Sequence, residues 1–219
     1  MHKLGNNANI WSSAIDHKGY LHDHHGGHAN VNQTPFPSYS FDLEWKPIED
    51  AKSYAIVVED FDAAKVIGFP FIHWVVANVK GTKLETNASY LSHQEWEKSG
   101  LKTYSDSMLW QGYNSSVPTT LMSFNKDENS DLKGVLPMGF TSQTNESAAL
   151  YFGSYPPDQD HLYTLVVYGL DVDASELSYQ LHGETHSLNQ PYYVGDLMQA
   201  LDNHVVGMHV LNYKYRQVK

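Results

Sequence analysis

Three short runs constrain this chain more than anything else in it. Ser53 to Glu59, Phe71 to Val79 and Leu162 to Val172 are crowded with consecutive apolar residues, many of them β-branched. Runs of that kind mark central strands buried on both faces. Tyr39 to Trp45 reads differently, because Tyr39, Phe41, Leu43 and Trp45 alternate with polar residues, the period of a half-buried strand. Near the C-terminus Val194, Leu197, Met198, Leu201 and Val205 follow helical spacing. Asp196 sits in the first turn of that segment and Gly207 just beyond it as a C-cap, so Val194, Leu197, Met198 and Leu201 are predicted to face protein. Met208 to Tyr215 supplies a last strand. An order of mostly strands with one late helix predicts an antiparallel, Greek-key-like β-sandwich with a C-terminal α-helix, and not βαβ units.

At 219 residues the chain suits one domain, 1–219, with no internal repeat. Two stretches resist the strand reading. Residues 16–34 carry His17, His22, His24, His25 and His28 among Gly and Asn, and read as an exposed loop. Residues 114–148 are rich in Ser, Thr, Asn and charge and read as an insertion, since a structureless loop of that length is uncommon inside a domain.

The chain has no cysteine, so thiol chemistry and thiolate metal sites are excluded. Lys and Arg number 14 against 25 Asp and Glu, a net charge of -11 that repels nucleic acid and anionic membranes. No apolar run reaches signal or membrane-span length, so the expected location is cytoplasmic, with no integral membrane contact. The Asn-x-Ser triplets at Asn87, Asn114 and Asn145 carry no weight in that compartment.

Two separated segments each join a histidine-bearing strand to a constrained turn. The first runs from Asp60 and Asp62 through Gly68 to His73-Trp74 and Asn78; the second runs Tyr151-Phe152-Gly153-Ser154-Tyr155-Pro156-Pro157, then His161 and Tyr163, into Tyr168-Gly169-Leu170-Asp171. In these motifs the chain resembles the phosphatidylethanolamine-binding protein family, in its bacterial and archaeal Raf-kinase-inhibitor-like branch. That family has an Asp-Pro-Asp-x-Pro turn before its His-Trp strand and a Tyr-x-Gly-Pro-x-Pro-Pro turn before its second histidine. Ser40 to Trp45 takes the place of the family's Ser-Pro-x-Leu-x-Trp, and Asn203-His204-Val205 that of its Gly-His-x-Leu ending. Phe61 and Ala64 replace both prolines of the first turn, and Ser154 replaces the first proline of the second. Proline presets φ, so these losses reshape or loosen the turns.

The resemblance implies a cavity that binds phosphate-like anions, with Asp60, Asp62, His73, Gly153, Ser154, Tyr155, Pro156, His161 and Tyr163 as ligand-binding residues. Imidazole N–H and tyrosine O–H groups suit a phosphate oxygen, Gly153 allows close backbone approach, and Asp60 fixes the tautomer of one imidazole. Against this stands the plainer reading that both histidines are satisfied strand residues and Asp60 a turn cap. A hydrolase can be drawn from Ser154, His161 and Asp60, but Ser154 lies in no Gly-x-Ser-x-Gly elbow. His22, His24, His25 and His28 invite a metal, but Gly26-Gly27 breaks any helical register and no metal site is expected. The resulting expectation is non-catalytic binding of a small phosphate- or carboxylate-bearing ligand, with no cofactor. The rivals are a regulatory interaction protein acting on a partner enzyme, then a small-substrate hydrolase. A homodimer and a protein partner are left open.

Overall fold

The computed structural model describes residues 4–33, 36–117 and 145–218. In chain order the principal elements are β1 (Ile10–Trp11), β2 (Leu43–Trp45), β3 (Ser53–Asp60), the one-turn helix α1 (Ala64–Ile67), β4 (Phe71–Val79), β5 (Lys83–Leu84), α2 (Ala88–Lys98), β6 (Trp110–Gln111), β7 (His161–Leu170), β8 (Ser178–Leu181), β9 (Glu184–Ser187), α3 (Val194–Ala200) and β10 (Val205–Tyr215). The main sheet is antiparallel, in the order β10-β7-β3-β4-β6; a smaller sheet runs β1-β2-β5, and β8 and β9 form a hairpin.

The long apolar runs are the middle of the main sheet, and the core explains why they are continuous. Tyr54, Ile56 and Val58 face a cluster that includes Trp45, Trp74, Leu165 and Tyr213, filling the space between the two sheets. Ala55 and Val57 face a second cluster with Trp96, Leu197 and Leu201, under α2 and α3. With both faces covered, neither parity of β3 can be polar, and each buried Val or Ile contributes about 1.5–3 kcal/mol.

Several sequence expectations need correction. Of Tyr39 to Trp45 only Leu43–Trp45 pairs as a strand. Helix α3 buries Leu197 and Leu201, but Met198 is 39% exposed, and Val205 belongs to β10. Gly207 is no C-cap. It lies at a register irregularity in β10, where a Cβ would come within 2.7 Å of Ile48 Cγ2. Asp196 does sit in the first turn, accepting the Tyr193 N–H at 2.8 Å. Helix α2 went unread because its buried face is Ser89, Ser92, His93 and Trp96, which has helical spacing but little apolar character. The stretch 16–34 is no free loop: His25 and Gly26 are buried, and Gly26 and Gly27 pack so closely on Tyr215 and Tyr155 that a Cβ would collide with either ring. Of the insertion read at 114–148, residues 118–144 lie outside the described residues. Its flanks are stitched to β4, since Ser115 Oγ accepts the Ile72 N–H at 2.9 Å and the Ser115 N–H returns to Ile72 O.

Candidate functional site

Strand β3 ends at Asp60, with β4 on one side and β7 on the other, and this brings the two histidines together. On the β4 side Val58 pairs with Trp74 and Glu59 with Ile72, so the register skips His73. His73 is the extra residue of a β-bulge, a device that re-aims a side chain. On the other side His161 opens β7, two residues before Tyr163, the partner of Asp60.

The turn between β3 and β4 holds its shape without prolines. Asp60 Oδ1 accepts the Ala63 N–H at 3.1 Å, closing the turn that leads into α1. Asp62 reaches the other way, accepting the Leu162 N–H at 3.0 Å through Oδ2 while Oδ1 pairs with Lys65 Nζ at 2.5 Å. Gly68, at φ +86°, closes α1 in the left-handed region. Side-chain hydrogen bonds thus do here what preset φ angles do elsewhere.

A cavity of about 40 Å³ opens at this corner. Its polar floor is Asp60, His73 and His161; Ala63, Val66 and Ile67 of the α1 turn, with Phe71, Phe152, Tyr155 and Pro157, make apolar walls. A water needs roughly 10–15 Å³ on this measure, so the space admits a few waters or a small oxyanion and no acyl chain.

The two imidazoles are in opposite states. His73 is buried, ringed by Phe71, Phe152 and Tyr163 at centroid distances of 4.7, 5.7 and 5.1 Å. Its Nδ1 lies 2.9 Å from Phe152 O, and since a carbonyl only accepts, the proton sits on Nδ1. Burial lowers its pKa against the pull of Asp60, keeping the ring neutral. His161 has its Nδ1 2.7 Å from Asp60 Oδ2 and its Nε2 2.6 Å from Asp158 Oδ1. Two carboxylates on two ring nitrogens require a proton on each nitrogen. Burial works against that charge, but the bonds and fields of Asp60 and Asp158 outweigh it and raise the pKa.

The remaining predicted residues sort plainly. Tyr155 lines the cavity beside Asp60, His73 and His161. Asp62, Gly153, Ser154, Pro156 and Tyr163 do not. Asp62 braces the turn. Gly153 is required by packing, since a Cβ there would lie 2.3 Å from Ser38 Oγ and 2.9 Å from Gly26 Cα. Ser154 is fully buried with its hydroxyl 3.3 Å from that of Tyr213, and both nitrogens of His161 are occupied, so the drawn nucleophile–base pair is not formed. Pro156 is buried, its carbonyl accepting the Val218 N–H at 2.8 Å. Tyr163 stacks on Tyr213 at 5.2 Å and 9°, behind the cavity, its buried hydroxyl near Asp60 without a well-formed hydrogen bond. Of the other family-motif positions, His204 and Asp171 pair with each other at 3.0 Å. Sequence reasoning missed Phe71, Phe152, Pro157, the α1 residues and Asp158. Only Asp158 left a usable signal, an acid three residues before a histidine in a turn.

Among the described residues no three His, Asp or Glu side chains are placed to share a metal ion, and no helix is long and apolar enough to cross a membrane.

The sequence model of the family described as phosphatidylethanolamine-binding protein matches residues 11–216. The uncharacterised protein YxkA of Bacillus subtilis (strain 168) is 28% identical over 196 residues, covering 88% of this chain and 91% of its own. Two crystal structures share the fold at 19% identity. A putative phosphatidylethanolamine-binding protein homolog, CT736 of Chlamydia trachomatis, superposes with a TM-score of 0.60 over 95% of this chain and 97% of its own. YbcL of E. coli superposes with a TM-score of 0.57 over 96% and 98%.

Proposed function

The chain belongs to the phosphatidylethanolamine-binding protein family, and from that premise we propose that it binds, without catalysis, a small phosphate- or carboxylate-bearing anion in the Asp60–His73–His161 cavity. The observation that carries this reading is the bond from His161 Nε2 to a carboxylate at 2.6 Å. Nε2 is an oxyanion donor on a ring that Asp60 keeps cationic from behind, and charge-assisted bonds of this kind are about twice as strong as neutral ones. The absence of catalysis is supported by Ser154, which is turned into the core, and by the engagement of both His161 nitrogens.

The histidines divide the work. His161 supplies the charge. His73, neutral and donating to Phe152 O, adds shape and polarity but no second cation, so the cavity has one charged donor and one neutral wall.

Titration calorimetry with inorganic phosphate and with phosphoethanolamine, as separate arms, tests the reading. His161→Gln, which can still donate to Asp60 but carries no charge, should weaken binding. His24→Ala, at an exposed residue that does not line the cavity, should change nothing. Since the folded pKa of His161 is raised, binding should fail as pH climbs through that raised value, above the ordinary imidazole value near ~6.5. Equal affinity in wild type and His161→Gln would overturn the proposal and favour regulation of a partner enzyme.

A further inference from the structure

The two carboxylates that flank His161 are not equivalent. Asp60 has a side chain only 4% exposed and binds both His161 and the Ala63 N–H. Asp158 has a side chain 44% exposed, and its hydrogen bond is to His161 Nε2. The first is built into the turn. The second is a tethered anion resting on the donor that an external anion needs.

The backbone around Asp158 is fixed while the side chain is not. Pro156 O accepts the Val218 N–H, Pro157 O accepts Gln217 Nε2 at 3.1 Å, and Asp160 accepts the Gln217 N–H at 3.0 Å and the Tyr20 hydroxyl at 2.9 Å. Asp158 can therefore leave His161 by rotating a half-exposed side chain, with no opening of the loop.

Charge points the same way. With both carboxylates ionised and His161 protonated, the trio carries one net negative charge, which disfavours a further anion. Once Asp158 swings out, the pair left behind is neutral and its Nε2–H is free. We propose that Asp158 is an internal occupant of the anion position, displaced by ligand, and that it sets the affinity of the site. This inference rests on the anion-binding reading above and deepens it.

The titratable and charged groups facing His161 are Asp60 from β3, Asp62 from the α1 turn, His73 from β4, Tyr163 from its own strand and Asp158 from the loop before it, while Lys65 acts on the carboxylates Asp60, Asp62 and Asp158. Of these only Asp158 touches Nε2.

The test compares wild type with Asp158→Asn and Asp158→Ala, both conservative changes at a half-exposed loop position. Inorganic phosphate affinity is measured by calorimetry, and the His161 titration by NMR with and without phosphate. Removing the competitor should tighten phosphate binding on the order of 5- to 10-fold, the worth of a charge-assisted bond discounted for partial exposure. In the ligand-free variants His161 should titrate at lower pH than in wild type, having lost one carboxylate, and phosphate should restore it. Phosphate bound as tightly or more tightly by wild type would overturn the role of Asp158 and leave the anion reading standing. Phosphate that neither binds nor shifts the His161 titration in any of the three proteins would sink the anion reading, and this inference with it.

Discussion

The β4 wall and the β7 wall of the cavity start from the same residue type and end in opposite electrostatic states. On the β4 side a bulge turns His73 into a ring of aromatics, with one carbonyl to satisfy. On the β7 side His161 meets a carboxylate at each nitrogen. Burial acts against charge on both. It prevails where the field of Asp60 and backbone bonds to Phe152 and Gly153 oppose it, and it loses where two carboxylates make direct contact. The lesson is that a pair of histidines in a motif is no unit of function until the partners of each nitrogen are known.

The largest effect that could break this contrast comes from its hinge. Asp60→Ala leaves His161 charged with one exposed partner and removes the bond that closes the turn into α1. Removing one member of a buried pair costs about 3–5 kcal/mol, and equilibrium urea unfolding should show a loss of that order. A loss under about 1 kcal/mol would mean that the turn stands without Asp60 and that the asymmetry lies elsewhere.

The dependence of stability on pH sharpens the comparison, because the two histidines pull in opposite directions. His161 has a raised folded pKa, so its contribution is full below the unfolded value near ~6.5 and is lost as pH rises through the folded value. His73 has a lowered folded pKa, so stability falls as pH drops from about 6.5 towards it, where the unfolded chain takes up a proton that the folded one refuses. Unfolding free energies measured from pH 5 to 8 should therefore lose their alkaline slope in His161→Gln and become shallower on the acid side in His73→Gln, the buried His25 and His93, whose pKa values burial also lowers, keeping the rest of the acid slope. The same slope lost in both variants would refute the division.

The smallest effect belongs to Lys65→Ala. The ammonium pairs with Asp62 at 2.5 Å but is largely exposed, so the variant should unfold like wild type within error, Asp62 keeping its bond to the Leu162 N–H.

What the sequence allowed to be read follows the same physics. Phe71 to Val79 is legible to the residue, because a strand buried on both faces is apolar at nearly every position, His73 and Asn78 being the exceptions. Helix α2 is not, because Ser and His fill its buried face and the pattern is visible only once Gln111, Ala149 and Leu109 are there to bond them. Asp60, His73 and His161 stood out as chemistry-bearing residues in constrained segments. Gly153 and Ser154 stood out equally, and nothing local separates a glycine that faces a ligand from one that faces Ser38. The bulge at His73 is a property of pairing between two strands and has no signature in either one. Asp158 carries no role in the sequence reading, and only its bond to His161 Nε2 gives it one.

The ties from Gln217 and Val218 to the loop at 156–160 add a matter of timing. During synthesis β3, the α1 turn and β4 emerge early and β7 and β10 much later, and the outer wall beside His161 is fastened by residues made after all of these. A nascent chain that carries β3 and β4 holds one half of the binding corner, and the corner stays unfinished until Gln217 and Val218 emerge. Ligand can therefore rescue only chains made through Val218, not shorter ones.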